Sequence, residues 1–316
     1  MRDQDNLIIM EKLDSLPSET HIDVLIMAAS VDKRCYAVFE KFLTNCITID
    51  RIVILDYAKT RPMPKSSEYS EYYKLNSYPN VEYIPCNTDG YDCEYISKAD
   101  FSSSSKVFID ITSISVPDIF RIFYVFKEFL IETINVVYAE PGYYNYFNGL
   151  YFAYEEDVVE REYTPLSEYF TSAVSRDVVL VCFLGFERLI SKYIHERKEH
   201  SDVIAINGFP AYYPKLKDIS LAHNYELIST IGLNCVRYAQ ANNPFSAYNT
   251  LVEIKDSNTD KLLDICVLGS KPMALGACMF ALRNPQIVKV SYPFPKASRV
   301  HTSIEVSNLW LYTITL

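Results

Sequence analysis

Short apolar runs recur along the chain, and most are followed by a polar loop and then a stretch with helical spacing. In the first half they are Asp23–Ile26, Arg51–Leu55, Val81–Tyr83, Lys106–Asp110 and Ile134–Tyr138. In the second they are Asp177–Leu180, Asp202–Ile206, Val236–Tyr238, Leu262–Val267 and Ile287–Tyr292. Runs that stay apolar without strict alternation mark strands buried on both faces. Strands of this kind between helical stretches of about ten to fifteen residues predict βαβ units and mainly parallel sheets. The right-handed crossover then places helices on both faces. Ala37–Leu43 and Arg188–Ile194 read as helices that follow the opening strand of each half.

The two series keep step. Asp23 and Asp177 stand 154 residues apart, and the later runs repeat at nearly that offset. Pro64-Lys65 corresponds to Pro214-Lys215, and Ser115-Val116-Pro117 to Ser270-Lys271-Pro272. An ordered series of matches points to a duplicated α/β module. Tyr143–Phe147 and Leu150–Tyr154 flank Asn148-Gly149, a hairpin signal. His301–Val306 and Leu309–Ile314 read as its counterpart. The charged tract Glu155–Arg176, which holds Pro165, reads as the junction. The expectation is an α/β chain of two tandem Rossmann-like modules, residues 1–160 and 161–316. Each has a mainly parallel sheet with helices on both faces and ends in an antiparallel hairpin. Two such modules are expected to pack face to face around a shared cleft.

Composition narrows the function. Hydrophobic residues make up 49% of the chain and charged residues 22%, enough for sizeable cores. The 26 Tyr and 17 Phe suit half-buried edges and interfaces. A formal charge of -10 argues against an extended nucleic acid as partner, since phosphate backbones reward clustered Lys and Arg. Only 8 Gly argue against a Gly-rich dinucleotide fingerprint, and no cofactor is expected. The 8 Cys include no CxxC pair and no zinc spacing, so they read as reduced and structural. The charged first twenty residues do not read as a secretory signal. The most lipid-like run, Ile119–Ile131, is interrupted by Arg121, Lys127 and Glu128. A cytoplasmic protein without a membrane partner is expected.

The sharpest chemical feature is Gly269-Ser270-Lys271-Pro272-Met273-Ala274-Leu275-Gly276, between a strand and a helix. Ser270 reads as N-cap, and Pro272 suits the first turn. Gly269 allows close approach of a ligand. Amides at the helix start, the helix dipole and Lys271 would favour a phosphate. The equivalent run Thr112-Ser113-Ile114-Ser115-Val116-Pro117-Asp118 offers the hydroxyls of Thr112, Ser113 and Ser115 to an anion or ribose. It has Val116 in place of the lysine and carries the acid Asp118. Asn242 and Asn243 follow a strand and precede a helix, where side-chain amides can read sugar or base. Asn207 ends another strand. Ser30, Lys33 and Arg34 follow the first strand, and the two cations would meet phosphates. Each of these also has a plain structural reading, as helix caps, Asx turns or solvated first-turn charges.

The run Gly269-Ser270-Lys271-Pro272-Met273 resembles the helix-start motif of the CRISPR-associated Rossmann-fold (CARF-like) sensor domains. Those carry Gly-Gly-Thr-Lys-Pro-Met after their fourth strand. Ser270 takes the Thr place and Leu268 stands where the first Gly would be. Asp110-Ile111-Thr112 keeps the opening of the same pattern in the first half. The resemblance implies binding of a cyclic oligonucleotide or related signal in microbial antiviral defence. It also implies an effector on another chain, since no effector domain is visible.

Three readings follow. The first is a nucleotide-ligand sensor or accessory subunit of a defence system. It would take a nucleotide or other phosphate-bearing small ligand and pair with a protein partner or with itself. The second is a nucleotide-directed hydrolase or transferase using the same cleft, although no GxSxG elbow or HExxH run is present. The third is a non-catalytic scaffold.

Overall fold

The apolar runs form the parallel cores of two sheets. The computed structural model describes residues 8–29, 33–56, 75, 78–86, 105–144, 164–165, 177–186, 200–292 and 303–316. In chain order the elements begin with β1 (Ile8–Lys12), β2 (His21–Ala29), α1 (Ala37–Thr44), β3 (Thr48–Asp56), β4 (Val81–Pro85), β5 (Val107–Asp110), α2 (Val116–Glu128) and β6 (Thr133–Tyr144). They continue with β7 (Thr164–Pro165), β8 (Val178–Phe183), β9 (Asp202–Gly208), α3 (Lys215–His223), α4 (Tyr225–Ile231) and β10 (Val236–Ala239). Then come α5 (Pro244–Asp256), β11 (Leu262–Val267), α6 (Lys271–Arg283), β12 (Val288–Tyr292) and β13 (Ser303–Thr315). The chain divides into two units, Met1–Tyr146 with Val300–Leu316 and Phe147–Arg299.

The sheet of the first unit runs β1-β13-β6-β5-β2-β3-β4, and that of the second runs β10-β9-β8-β11-β12-β7. Five strands of each are parallel, β4-β3-β2-β5-β6 and β10-β9-β8-β11-β12. Taken in sequence, both fives follow one Rossmann-like order. In such an order the chain reverses its winding between the first and fourth strands, and a crevice opens there at the carboxyl edge. The switch points are β2/β5 in one unit and β8/β11 in the other.

One expectation is corrected. Residues 303–314 do not form a hairpin closing the second module. Ser303–Thr315 is a single strand of the first unit, antiparallel to β6 on one side and to β1 on the other. The break at Ser307-Asn308, which reads as a turn, is a β-bulge where the register shifts between Val306 and Asn308. Bulges and turns favour the same small polar residues, and a strand's local pattern does not name its partner. Of the expected first hairpin, Tyr143 and Tyr144 end β6, and the rest lies outside the described residues. The helix expected over Arg188–Ile194 also lies outside them.

In the first unit, α1 brings Val38, Phe39 and Phe42 onto Leu25, Met27, Ile52, Ile54, Phe108 and Val137. In the second, Leu227 and Ile228 of α4 cover Leu180, Cys182, Ala205 and Cys266. Val179, Val181, Leu263 and Ile265 have the opposite parity on their strands and are also buried. The helix beside β11 and β12 is α6, in which every residue from Pro272 to Leu282 is buried. A helix apolar on all sides belongs in an interior. Among the described residues, no helix is long and apolar enough to cross a membrane.

Candidate functional site

At the switch point of the second unit, the loops after β8, β9, β10 and β11 are tied together. Ser270 Oγ donates to the Ala241 carbonyl, and the Ala241 N–H donates to the Pro210 carbonyl at 3.0 Å. The Phe209 N–H reaches the Ala239 carbonyl at 2.7 Å, and Tyr212 Oη the Ala241 carbonyl at 3.2 Å. On the β8 side, the Gly185 carbonyl accepts from Ser220 Oγ at 2.9 Å and from Asn224 Nδ2 at 3.0 Å. The Phe186 carbonyl lies 2.8 Å from His223 Nδ1. These bonds fix the edge. They also give His223 and Asn224 structural work.

Two helices start at this edge. Their tight contact is set by Gly276, where an added Cβ would collide with the Pro244 carbonyl oxygen and stand 2.9 Å from Ala247 Cβ. Asn243 caps α5, its Oδ1 accepting from the Phe245 N–H at 2.9 Å and the Ser246 N–H at 3.2 Å. Ser270 caps α6, its Oγ accepting from the Met273 N–H at 3.3 Å. Pro244 and Pro272 have no N–H to offer. The sequence reading expects a crown of amides for an anion. In the structure the caps take much of it. Lys271 is half-buried at the first position of α6, and the first turns of α5 and α6 hold no acidic residue. Asn242 is half-buried, one residue before the α5 cap. Asn207, 1% exposed, donates to the Lys217 carbonyl at 3.1 Å and serves as an internal brace.

The first unit's switch point is built differently. Thr112 Oγ1 accepts from the Ala139 N–H at 2.9 Å, and the Thr112 N–H donates to Asp110 Oδ1 at 2.9 Å. Ser115 caps α2 by accepting from the Asp118 N–H at 3.3 Å, and its hydroxyl donates to the Asp118 carboxylate. Ser113 is 7% exposed. Arg34 is 8% exposed, and its guanidinium donates to Ser303 Oγ and to the Ala139 carbonyl, both at 2.7 Å. It therefore holds β13 and β6 together. Lys33 begins a 3-10 turn over Lys33–Tyr36, and Ser30 lies outside the described residues. Here the first turn supplies its own acid, Asp118, and has Val116 in the place of Lys271.

Other chemical groups lie away from these edges. Cys182 and Cys278 are buried, and burial pushes both thiols well above the usual range, with Cys266 and Asp264 adding to the effect at Cys182. A raised thiol pKa leaves little thiolate for nucleophilic work. His200 Nε2 lies 3.0 Å from Asp264 Oδ2, with Lys289 Nζ at 3.8 Å. Asp264 is fully buried inside a strand, where no substrate reaches it. Among the described residues, His21, Asp23 and Asp50 bring ligand atoms within 4.8 Å of one another. They sit at the amino edge of the first sheet, and His21 Nε2 already contacts both carboxylates at 3.2 and 3.0 Å.

Sequence reading places Phe209, in the run Asn207-Gly208-Phe209-Pro210, at the end of a strand but does not bring Tyr238 to it. Phe209 and Tyr238 are about half exposed and meet edge to face. Their signal in sequence is slight, a Phe after a strand and a Tyr inside one.

The sequence matches no protein-family model and no curated protein. Solved structures align with it, among them the following three. A Pseudomonas aeruginosa chain assigned as a universal stress protein is 10% identical, over 87% of this chain and 93% of that one, with a TM-score of 0.24. The Acinetobacter baumannii Cap4 SAVED/CARF-domain receptor, solved with a cyclic trinucleotide, is 12% identical with a TM-score of 0.33. That alignment covers 87% of this chain but only 50% of the receptor. A Haemonchus contortus phosphoethanolamine N-methyltransferase is 11% identical over 96% and 90%, with a TM-score of 0.25. Scores this low carry no functional argument.

Proposed function

We propose that the second unit binds a nucleotide or similar phosphate-bearing small ligand at the carboxyl edge of its sheet. The chain then acts as a sensor or accessory subunit that reports binding to a protein partner. The observation that carries this reading is Lys271 at the head of α6, at the topological switch point. A phosphate at this edge would meet the Lys271 charge together with the dipoles of two adjacent helices. The first unit supports a structural role instead, since its hydroxyls and Arg34 bond internally. The finer reading is a cyclic oligonucleotide sensed in microbial antiviral defence. It rests on the resemblance of Gly269–Met273 and Asp110–Thr112 to the CRISPR-associated sensors.

Calorimetry with ATP, GTP and cyclic di- and tri-adenylates tests the proposal. At least one should bind with micromolar affinity or better. Lys271→Ala should weaken it about tenfold or more, about 1.4 kcal/mol, with an unchanged melting temperature. No binding by any member of the panel, or a Lys271→Ala protein that binds like the parent, overturns it.

A further inference from the structure

We propose that Phe209 and Tyr238 form a nucleobase-stacking subsite beside the phosphate position, an inference that rests on the nucleotide reading above. Phe209 follows the last residue of β9, and Tyr238 lies near the end of β10. They are 50% and 48% exposed. Their ring centroids lie 6.0 Å apart, with planes at 73°. Single exposed rings are ordinary on protein surfaces. Two rings set nearly at right angles form a corner, in which a flat heterocycle can stack on one ring and present its edge to the other. Every base has such a face, so stacking of this kind tolerates base identity.

The corner is stiff and lies at the ligand edge. The Phe209 N–H is bonded to the Ala239 carbonyl, and the Pro210 carbonyl to the Ala241 N–H, so the backbone ladder of β9 and β10 continues past the strands. Ala241 in turn accepts from Ser270, the residue before Lys271. Gly208 stands against Met273, where an added Cβ would meet the Met273 sulfur at 3.7 Å. The aromatic loop and the Lys271 loop are thus direct neighbours. Lys217 Nζ lies 5.4 Å from the Phe209 centroid, at the same corner, and is paired with Asp218 Oδ1 at 3.1 Å. Aromatic rings, a cation and a nearby helix start fit a ligand with a base at one end and phosphate at the other. An inorganic anion alone has no use for the rings.

The test compares ATP and cyclic tri-adenylate with pyrophosphate, which has no base. Phe209→Leu keeps apolar bulk and removes the ring, and Tyr238→Leu does the same on the other wall. Either should weaken the nucleotides about tenfold or more while pyrophosphate affinity stays at the parent value. Phe209→Trp should retain nucleotide binding, and the emission it adds should be quenched by ATP. Nucleotide affinity unchanged in both leucine variants overturns the subsite, as does added emission in the Phe209→Trp protein that saturating ATP leaves unmoved. If pyrophosphate binding still depends on Lys271 in that case, the phosphate reading stands alone. If no ligand binds the parent, both readings fall. A switch of oligomeric state in Phe209→Leu with unaltered nucleotide affinity assigns the corner to a protein contact and also overturns the subsite.

Discussion

Gly276→Ala should destabilise the second unit by about 2–3 kcal/mol, the cost of overpacking a close contact that cannot yield. Helix propensity alone would favour alanine here by about 1 kcal/mol, so a net loss measures the clash. The new Cβ would press on the Pro244 carbonyl oxygen and stand 2.9 Å from Ala247 Cβ and 3.0 Å from the Pro244 carbonyl carbon. Two of those three atoms are backbone. Neither helix can retreat easily, because α6 is buried on all sides and α5 packs beside β10. Gly269→Ala is the control. Its Cβ would meet a side-chain atom, the Met273 sulfur, at 3.2 Å and no backbone nearer than 3.7 Å, and should cost under about 1 kcal/mol. Urea unfolding followed by circular dichroism distinguishes the two. Equal stability of Gly276→Ala and the parent would contradict the α5–α6 contact described here.

The second large effect falls in the first unit. Glu140→Ala should cost about 3 kcal/mol and loosen β13. Glu140 is 5% exposed, and its carboxylate accepts from Ser307 Oγ at 2.8 Å, Asn308 Nδ2 at 2.9 Å and Trp310 Nε1 at 2.6 Å. It fills the bulge that leaves Ser307 outside the regular ladder. Removing it takes the acceptor from Trp310 Nε1 and Asn308 Nδ2, while the exposed Ser307 keeps the Glu140 and Pro141 carbonyls at 3.4 and 3.3 Å. Glu140→Gln keeps the shape and should cost less, about 1 kcal/mol. The chain has 1 Trp, so the emission of Trp310 reports the change directly. A red shift at lower denaturant is expected for Glu140→Ala. An unfolding midpoint and emission equal to the parent's would show that the carboxylate does not hold the strand.

Much of the fold is legible in the residues. Asp110 and Val267 each end a strand where a continuous apolar run stops, and Ser115 and Ser270 cap the helices that follow. Local periodicity and capping chemistry carry that information. The return of Ser303–Thr315 to the first unit is not local. Its alternation fits a hairpin as well as a lone strand, and its partners β6 and β1 are far away in sequence. The site is legible to a smaller degree. Ser270, Asn243 and Thr112 stand out in the sequence for their polar atoms, and in the fold those atoms bond neighbouring backbone. Sequence shows that a donor or acceptor exists, not whether the fold already uses it. Arg34 illustrates the same point, because its hydrogen-bond partner Ser303 lies 269 residues away. Phe209 and Tyr238 become neighbours only through the pairing of β9 with β10.

Amide hydrogen exchange with and without the tightest nucleotide of the panel is the direct test of binding at the second edge. Slowed exchange across 239–243 and 268–273, with 110–115 unaffected, is the predicted pattern. Protection confined to 110–115, or none at either edge with the ligand bound, would contradict it.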